Sequence, residues 1–314
     1  SKIHGQDMNG DGEGDFGSCI FKKRNAQSYF AIQTFAAPIV QTQGTAQGFH
    51  FDNSNMKPII NNDGWKKAFE LYKATGKYGP PDELNMDIGD TRALFKAGRC
   101  GLIVEWGDPG TLQLDDDASA IKGKMYAISA VGSKEVLDRA TGKLVPVSAS
   151  TAPYAVDGIN YAPFAAFGGW AGAVNKGADA KTKAAAYAFL SYMNQAAQSG
   201  VDVTIGATGY NPYRTSQLAS TDLWVKAGMP QALADNYLGA INGAINNLNM
   251  ASDMKIPGAQ KYTSVVLDTE LARYLAGEIT VDEALANIEE GWEEVTEDFG
   301  RDEQVASQAL ALGL

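Results

Sequence analysis

Apolar segments of strand length and segments with helical spacing alternate along this chain until its last third, which is almost wholly helical. That order constrains the fold more than any single motif, and it indicates an α/β architecture. The clearest helix begins at Thr280, where Thr280 and Glu283 form a capping box. Val281, Leu285, Ile288, Trp292, Val295 and Phe299 then keep one face. "DGWKKAFELYKATGKYGP" sets Trp65, Phe69 and Tyr72 on one side and ends in Gly-Pro. A shorter helix is expected over 90–97, stopping at Gly98, and another over 179–194 that buries Phe189, Tyr192 and Met193. "FGSCIF", "CGLIVEW" and "KMYAISAV" have strand length, "TGKLVPVSASTAPYAV" is less regular, and "FGGWAGAV" is a strand kinked by glycines. Residues 29–40 form a mixed apolar segment, and no internal repeat occurs.

The 314 residues are enough for two lobes and a large core. Apolar residues make up 45% and charged residues 20%, an ordinary globular composition. No apolar run approaches the ~20 residues that cross a bilayer. With a net charge of −11 and no dense basic patch, the chain has nothing to follow a phosphate backbone, which argues against nucleic acid. The start at Ser1, without Met or signal peptide, fits a processed or excised chain.

Near the start, "DMNGDGEGD" sets Asp7, Asn9, Asp11 and Asp15 around Gly12 in the pattern D-x-N-x-D-G-x-x-D. A hard cation such as Ca2+ takes six to eight oxygens, and alternate side chains on a tight turn supply them from one side. Glu13 would add its backbone carbonyl. An EF-hand needs Glu at the twelfth position, where this chain has Ser18, and no helical pattern follows. The loop is therefore calcium-type without being an EF-hand, with a structural role; the rival reading is a solvated Gly-Asp turn. Cys19 and Cys100 belong to no CxxC pair, so zinc is not indicated. They are either buried thiols or one disulfide closing a loop of ~80 residues. His4 and His50, the only histidines, have no serine or cysteine nucleophile placed beside them.

Five segments in order carry a resemblance: "FDNSNMKPIINNDGWKKAFELYK", "LFKAGRCGLIVEWGD", "GGWAGAVNKGADAKTKAAAYAFLSYM", "GYNPYRTS" and "YLAGEITVDEALANIEEGWEEV". Together they resemble the carbohydrate-binding branch (family 1 type) of extracellular solute-binding proteins of ABC importers, over most of the chain. Some of those proteins carry a calcium loop where "DMNGDGEGDFG" lies. The resemblance implies a type II periplasmic-binding-protein fold, two α/β lobes that close over a sugar like a flytrap. Residues 1–166 would open the C-terminal lobe, 167–205 would cross into the N-terminal lobe, and 206–314 would return as a helical tail. The opening hundred-odd residues that build most of the N-terminal lobe are absent from this sequence, so a fragment, or a lobe completed by another chain, is expected. The family's address, periplasmic or extracellular and possibly anchored through a missing N-terminus, favours the Cys19–Cys100 disulfide.

Sugars pair apolar ring faces with hydroxyls, so their sites combine flat aromatics with planar hydrogen-bonding groups. Trp170 follows Gly168 and Gly169, which permit close approach of a ligand, and the family often presents an aromatic there. Trp106 and Asp108 end a strand, where open α/β sheets bind ligands. Tyr213 and Arg214 follow Pro212 in a loop, and Arg214 would fork two hydroxyls or a carboxylate. Tyr154 and Tyr161 are weaker candidates. Each has a structural alternative: core tryptophans, a turn aspartate, a surface salt bridge. The expected function is non-catalytic capture of a sugar or oligosaccharide for an ABC permease. The alternatives are a structural or adhesive subunit of a larger assembly and a calcium-dependent polysaccharide-degrading enzyme, although no carboxylate pair stands out in a motif.

Overall fold

The computed structural model describes residues 1–114, 119–166, 169–206 and 208–314. Helix α1 (Ser28–Val40) runs through the mixed apolar segment. It is buried on most sides, and a helix buried all round carries no amphipathic period. Its entry is capped from far along the chain: the Asn25 amide and the Ser28 hydroxyl donate to Asp268 at 2.6 and 2.5 Å. Helix α2 (Asp63–Thr75) is capped by Asn62, which accepts from the amides of Gly64 and Trp65, and it buries Trp65, Phe69 and Tyr72 as expected. Helix α3 (Ile88–Lys96) starts two residues before the expected 90–97, because Asp87 and Asp90 form a capping box there.

Among the described residues six short strands follow or flank these helices. β1 (Gly132–Ser133) pairs antiparallel with β4 (Asn160–Tyr161), and β2 (Glu135–Asp138) forms a hairpin with β3 (Lys143–Pro146). β5 (Phe164–Ala165) runs parallel to β6 (Ala251–Ser252). The strands expected over "FGSCIF" and "CGLIVEW" are reduced to two isolated parallel bridges, Phe16–Cys100 and Cys19–Ile103. The expected "KMYAISAV" strand is not one either. Its backbone is held by a side chain instead of a ladder: Asn236 accepts from the Ala127 amide and donates to its carbonyl at 2.8 and 3.0 Å. Of the glycine-kinked strand, 167–168 lie outside the described residues and 169–174 form none.

The helical part comprises α4 (Ala180–Met193), α5 (Ala196–Asp202), α6 (Thr215–Leu218), α7 (Asp222–Lys226) and α8 (Gln231–Ile245). After a π-helical turn at Lys261–Leu267 come α9 (Asp268–Ala276), α10 (Val281–Phe299) and α11 (Arg301–Leu312). The Thr280–Glu283 capping box is present, and Leu285, Ile288 and Trp292 are buried, while Phe299 lies at the margin. The main core joins α1, α2, the π turn, α9 and α10. A second cluster gathers Trp224 and Tyr237 between α7 and α8. A third surrounds Cys19 and Cys100, which are joined as a disulfide with their Cα atoms 5.8 Å apart.

α4 departs from expectation in one respect. Asp179 caps it, accepting from the Thr182 amide, but none of its residues is buried. Phe189 is 62% and Tyr192 52% exposed, and Met193 is only partly covered. The apolar pattern is real; the surface it would pack against is not provided by the described residues.

Candidate functional site

Trp106 leaves the extended stretch after Ile103 with its ring stacked on Phe21, centroids 6.1 Å apart at 15°, and set edge-on to Phe30 at 5.1 Å. Asp108 opens the 3₁₀ turn Asp108–Leu114. Between them reaches Arg92 of α3, bonded to Glu105 through Nε at 2.9 Å and Nη2 at 3.0 Å, and to Asp108 at 2.9 and 3.2 Å. Burial pushes the carboxyls of Glu105 and Asp108 up, and Arg92 works against that shift. Burial also opposes the Arg92 charge, but Glu105 and Asp108 outweigh it and hold the guanidinium protonated. The result is a fixed polar triad beside an aromatic face.

Opposite stands Trp170, 74% exposed, whose Nε1 donates to the Gly209 carbonyl at 3.2 Å. Gly169 precedes it with φ +98°, a left-handed conformation that a side chain would strain. Trp106, Asp108, Gly169 and Trp170 line one cavity of about 740 Å³, within the range that holds a small ligand. The structure thus brings four of the six expected ligand-binding residues together. Arg92, Asn211, Lys255 and Tyr29 line the same space and were not legible as candidates. Arg92 reads locally as the polar face of a short helix. Asn211 stands two positions before the more conspicuous Tyr213.

Tyr213 and Arg214, also expected to bind the ligand, lie outside the lining of this cavity. The Arg214 guanidinium donates to Ser199 Oγ at 3.0 Å and to the Asn194 carbonyl, and it covers the Tyr213 ring at 5.4 Å. Its fork is engaged in joining the end of α4 to α6. Tyr154 packs on Gly44 and Tyr161 on Gly132, neither in the lining. His50 is buried, with Nε2 bonded to Gln33, and His4 lies on Phe16 and Tyr78.

The acidic loop is self-contained. Asp7 accepts from the amides of Gly10, Asp11 and Gly12 at 2.6, 3.1 and 3.0 Å, and the Asp11 amide also reaches Asn9 Oδ1 at 3.1 Å. Buried Asp15 accepts from the amides of Met8 and Asn9 and faces Arg99 Nε at 3.0 Å. Arg99 Nη1 donates to Asp11 at 2.8 Å and Glu13 at 2.9 Å. Hydrogen bonds from Asn9, the Glu13 amide and Arg99 bring the Asp11 carboxyl down to about 2. The donor chemistry is that of an oxygen-rich calcium loop, yet a guanidinium supplies the positive charge in this arrangement. Among the described residues no group of three His, Cys, Asp or Glu side chains is arranged to hold a metal.

The fold is that of a type II periplasmic binding protein. A solute-binding protein of an ABC transporter from Agrobacterium radiobacter K84 in complex with ribitol superposes with a TM-score of 0.60 at 18% identity, over 90% of this chain and 60% of that one. Maltose-bound MalE3 of T. maritima gives 0.58 at 15%, over 90% and 61%. An ABC transporter solute-binding protein from Agrobacterium vitis S4 with bound D-mannitol gives 0.55 at 19%, over 91% and 62%. At such identities the likeness is one of fold, and the chain spans 60 to 62% of the length of these structures. No family model matches the sequence, and no curated protein matches it.

Proposed function

We propose that this chain is the ligand-capturing part of an extracytoplasmic receptor that binds a sugar or oligosaccharide for an ABC permease and performs no catalysis. The observation that carries it is the cavity of about 740 Å³ with Trp106 and Trp170 on its walls and the Arg92–Asp108 pair at its edge. An apolar ring face would lie on an indole, and hydroxyls would meet a clamped carboxylate and guanidinium. The solved neighbours are binding proteins holding ribitol, maltose and mannitol, which supports that ligand class. A disulfide between Cys19 and Cys100 supports an oxidising compartment, periplasmic or extracellular.

The same reading includes a partner for α4. Its exposed Tyr187, Phe189 and Tyr192 would pack against the remainder of an N-terminal lobe, supplied by another segment or chain. Residues 167–205 would then be the excursion into that lobe, between 1–166 and 206–314. Calorimetry with ribitol, mannitol and maltose is the direct test, repeated with Trp170→Ala. Binding that weakens about tenfold in the variant supports the reading, on the scale of one stacked ring. Absence of binding to every sugar, or steady turnover of a polysaccharide, overturns it.

For the acidic loop, Asp7, Asn9, Asp11, Asp15 and the Glu13 carbonyl would hold a structural Ca2+ once Arg99 swings away from Asp11 and Asp15. Adding Ca2+ should raise the melting temperature, and more so in Arg99→Gln. An unchanged melting curve in both proteins rejects calcium at this loop.

A further inference from the structure

A second cavity of about 390 Å³ adjoins the first, and the two share Phe30, Trp106 and Asn211 as lining. Their chemistry differs. The larger one presents Arg92, Asp108, Lys255 and Gln260. The smaller is walled by Val104, Ile128, Phe164 and Ile241, with Ala240 and Ala244 of α8 leaving the space open. Two of its polar side chains are engaged already. Thr34 donates to the Phe30 carbonyl at 3.1 Å, and Glu105 is held by Arg92. The Tyr237 hydroxyl is buried there without a hydrogen-bond partner and can meet one incoming polar group. A sugar ring entering this chamber would exchange the water partners of its several hydroxyls for little beyond that one group, a loss of several-fold or more in affinity for each hydroxyl left unpaired.

At the junction stands the Asn211 carboxamide. Among the described residues it has no hydrogen-bond partner. Its Oδ1 lies against Gly107, where an added Cβ would come within 2.6 Å, so the glycine is what lets the amide reach the junction. One acceptor and one donor group on a planar amide suit an ether oxygen beside a hydroxyl.

We propose that the cleft takes a glycoside lying across Trp106, with its sugar in the larger cavity, an apolar aglycone in the smaller one, and Asn211 donating from its NH2 to the glycosidic oxygen while its Oδ1 accepts from the neighbouring 2-hydroxyl. This rests on the sugar-receptor reading and narrows its substrate class. The experiment is calorimetry on the intact chain with methyl β-D-glucoside, phenyl β-D-glucoside, maltose and mannitol. The phenyl glucoside should bind roughly tenfold or more tighter than the methyl glucoside, the scale of burying one aromatic ring. Ala244→Phe should abolish that advantage, bringing the two glucosides to equal affinity. If Ala244→Phe melts early, Ala240→Leu fills the same chamber with a smaller change and is read in the same way. Equal affinity for the two glucosides overturns the proposal, as when a protein segment fills the chamber. So does a gain from maltose without one from the phenyl glucoside, which assigns the chamber to a second sugar ring. Binding of mannitol or maltose with neither glucoside overturns the aglycone assignment and leaves the receptor reading standing. Binding of no sugar at all removes both.

Discussion

Helices α10 and α4 carry comparable apolar residues and meet opposite fates. In α10, Trp292 is fully buried, donates Nε1–H to the Tyr262 carbonyl at 2.8 Å, and packs on His50 and Phe51. In α4, Tyr187 is 70% exposed and Phe189 62%, against nothing in the described residues. Spacing selects which face a helix would bury, but a partner surface decides whether it is buried. The contrast separates a helix packed into the main core from one left exposed among the described residues.

The largest effect should come from the finished side. Trp292→Ala should destabilise the fold by about 3–5 kcal/mol through lost burial, a cavity and the orphaned Tyr262 carbonyl. Phe189→Ala on α4 should stay within about 0.5 kcal/mol, because an exposed ring loses little. Urea unfolding of both variants breaks the comparison if the two costs are similar.

Next in size is the disulfide, which ties the entry of the chain to the stretch leading to Trp106. Reduction, or Cys19→Ser with Cys100→Ser, should cost about 2–4 kcal/mol, the usual range for a long closed loop. A melting temperature unaffected by reductant would show that the third cluster is held by packing alone.

A pH profile probes the main core around Trp292 from its polar side. Burial brings the His50 imidazole down to about 3 from 6.5, so it stays neutral in the fold. The unfolded chain takes up that proton below 6.5 while the folded one does not. Stability therefore falls as pH drops from 6.5 towards 3, at up to roughly 1.4 kcal/mol per pH unit from this group. His50→Gln should flatten that part of the profile; an unchanged slope would assign the acid sensitivity to other groups.

The smallest expected effect on stability, and a clear one on binding, belongs to the cleft. Asn211→Leu keeps the volume and removes a carboxamide with no protein partner among the described residues. Its melting temperature should move by no more than a degree or two, and its glycoside affinity should fall about tenfold, as for one or two lost hydrogen bonds. Loss of stability without loss of affinity would make Asn211 part of the scaffold.

Legibility followed the range of the interactions. α2 and α10 were readable because caps and periodic faces are encoded within a turn or two. So was the acidic loop as an arrangement of alternating oxygens, and so were the two tryptophans and Asp108 as cleft candidates. α1 offered no period because every side of it is covered, and its N-terminal cap, Asp268, lies 240 residues beyond Ser28. Arg92 became a site residue only when folding set α3 against Glu105 and Asp108. Arg214 is engaged by Ser199 and Asn194, and Arg99 is brought to the acidic loop from next to Cys100. Residue type and spacing thus determined which groups were available. Long-range packing decided which line the candidate cleft, which hold one another, and which, like the ring of Phe189, are left exposed.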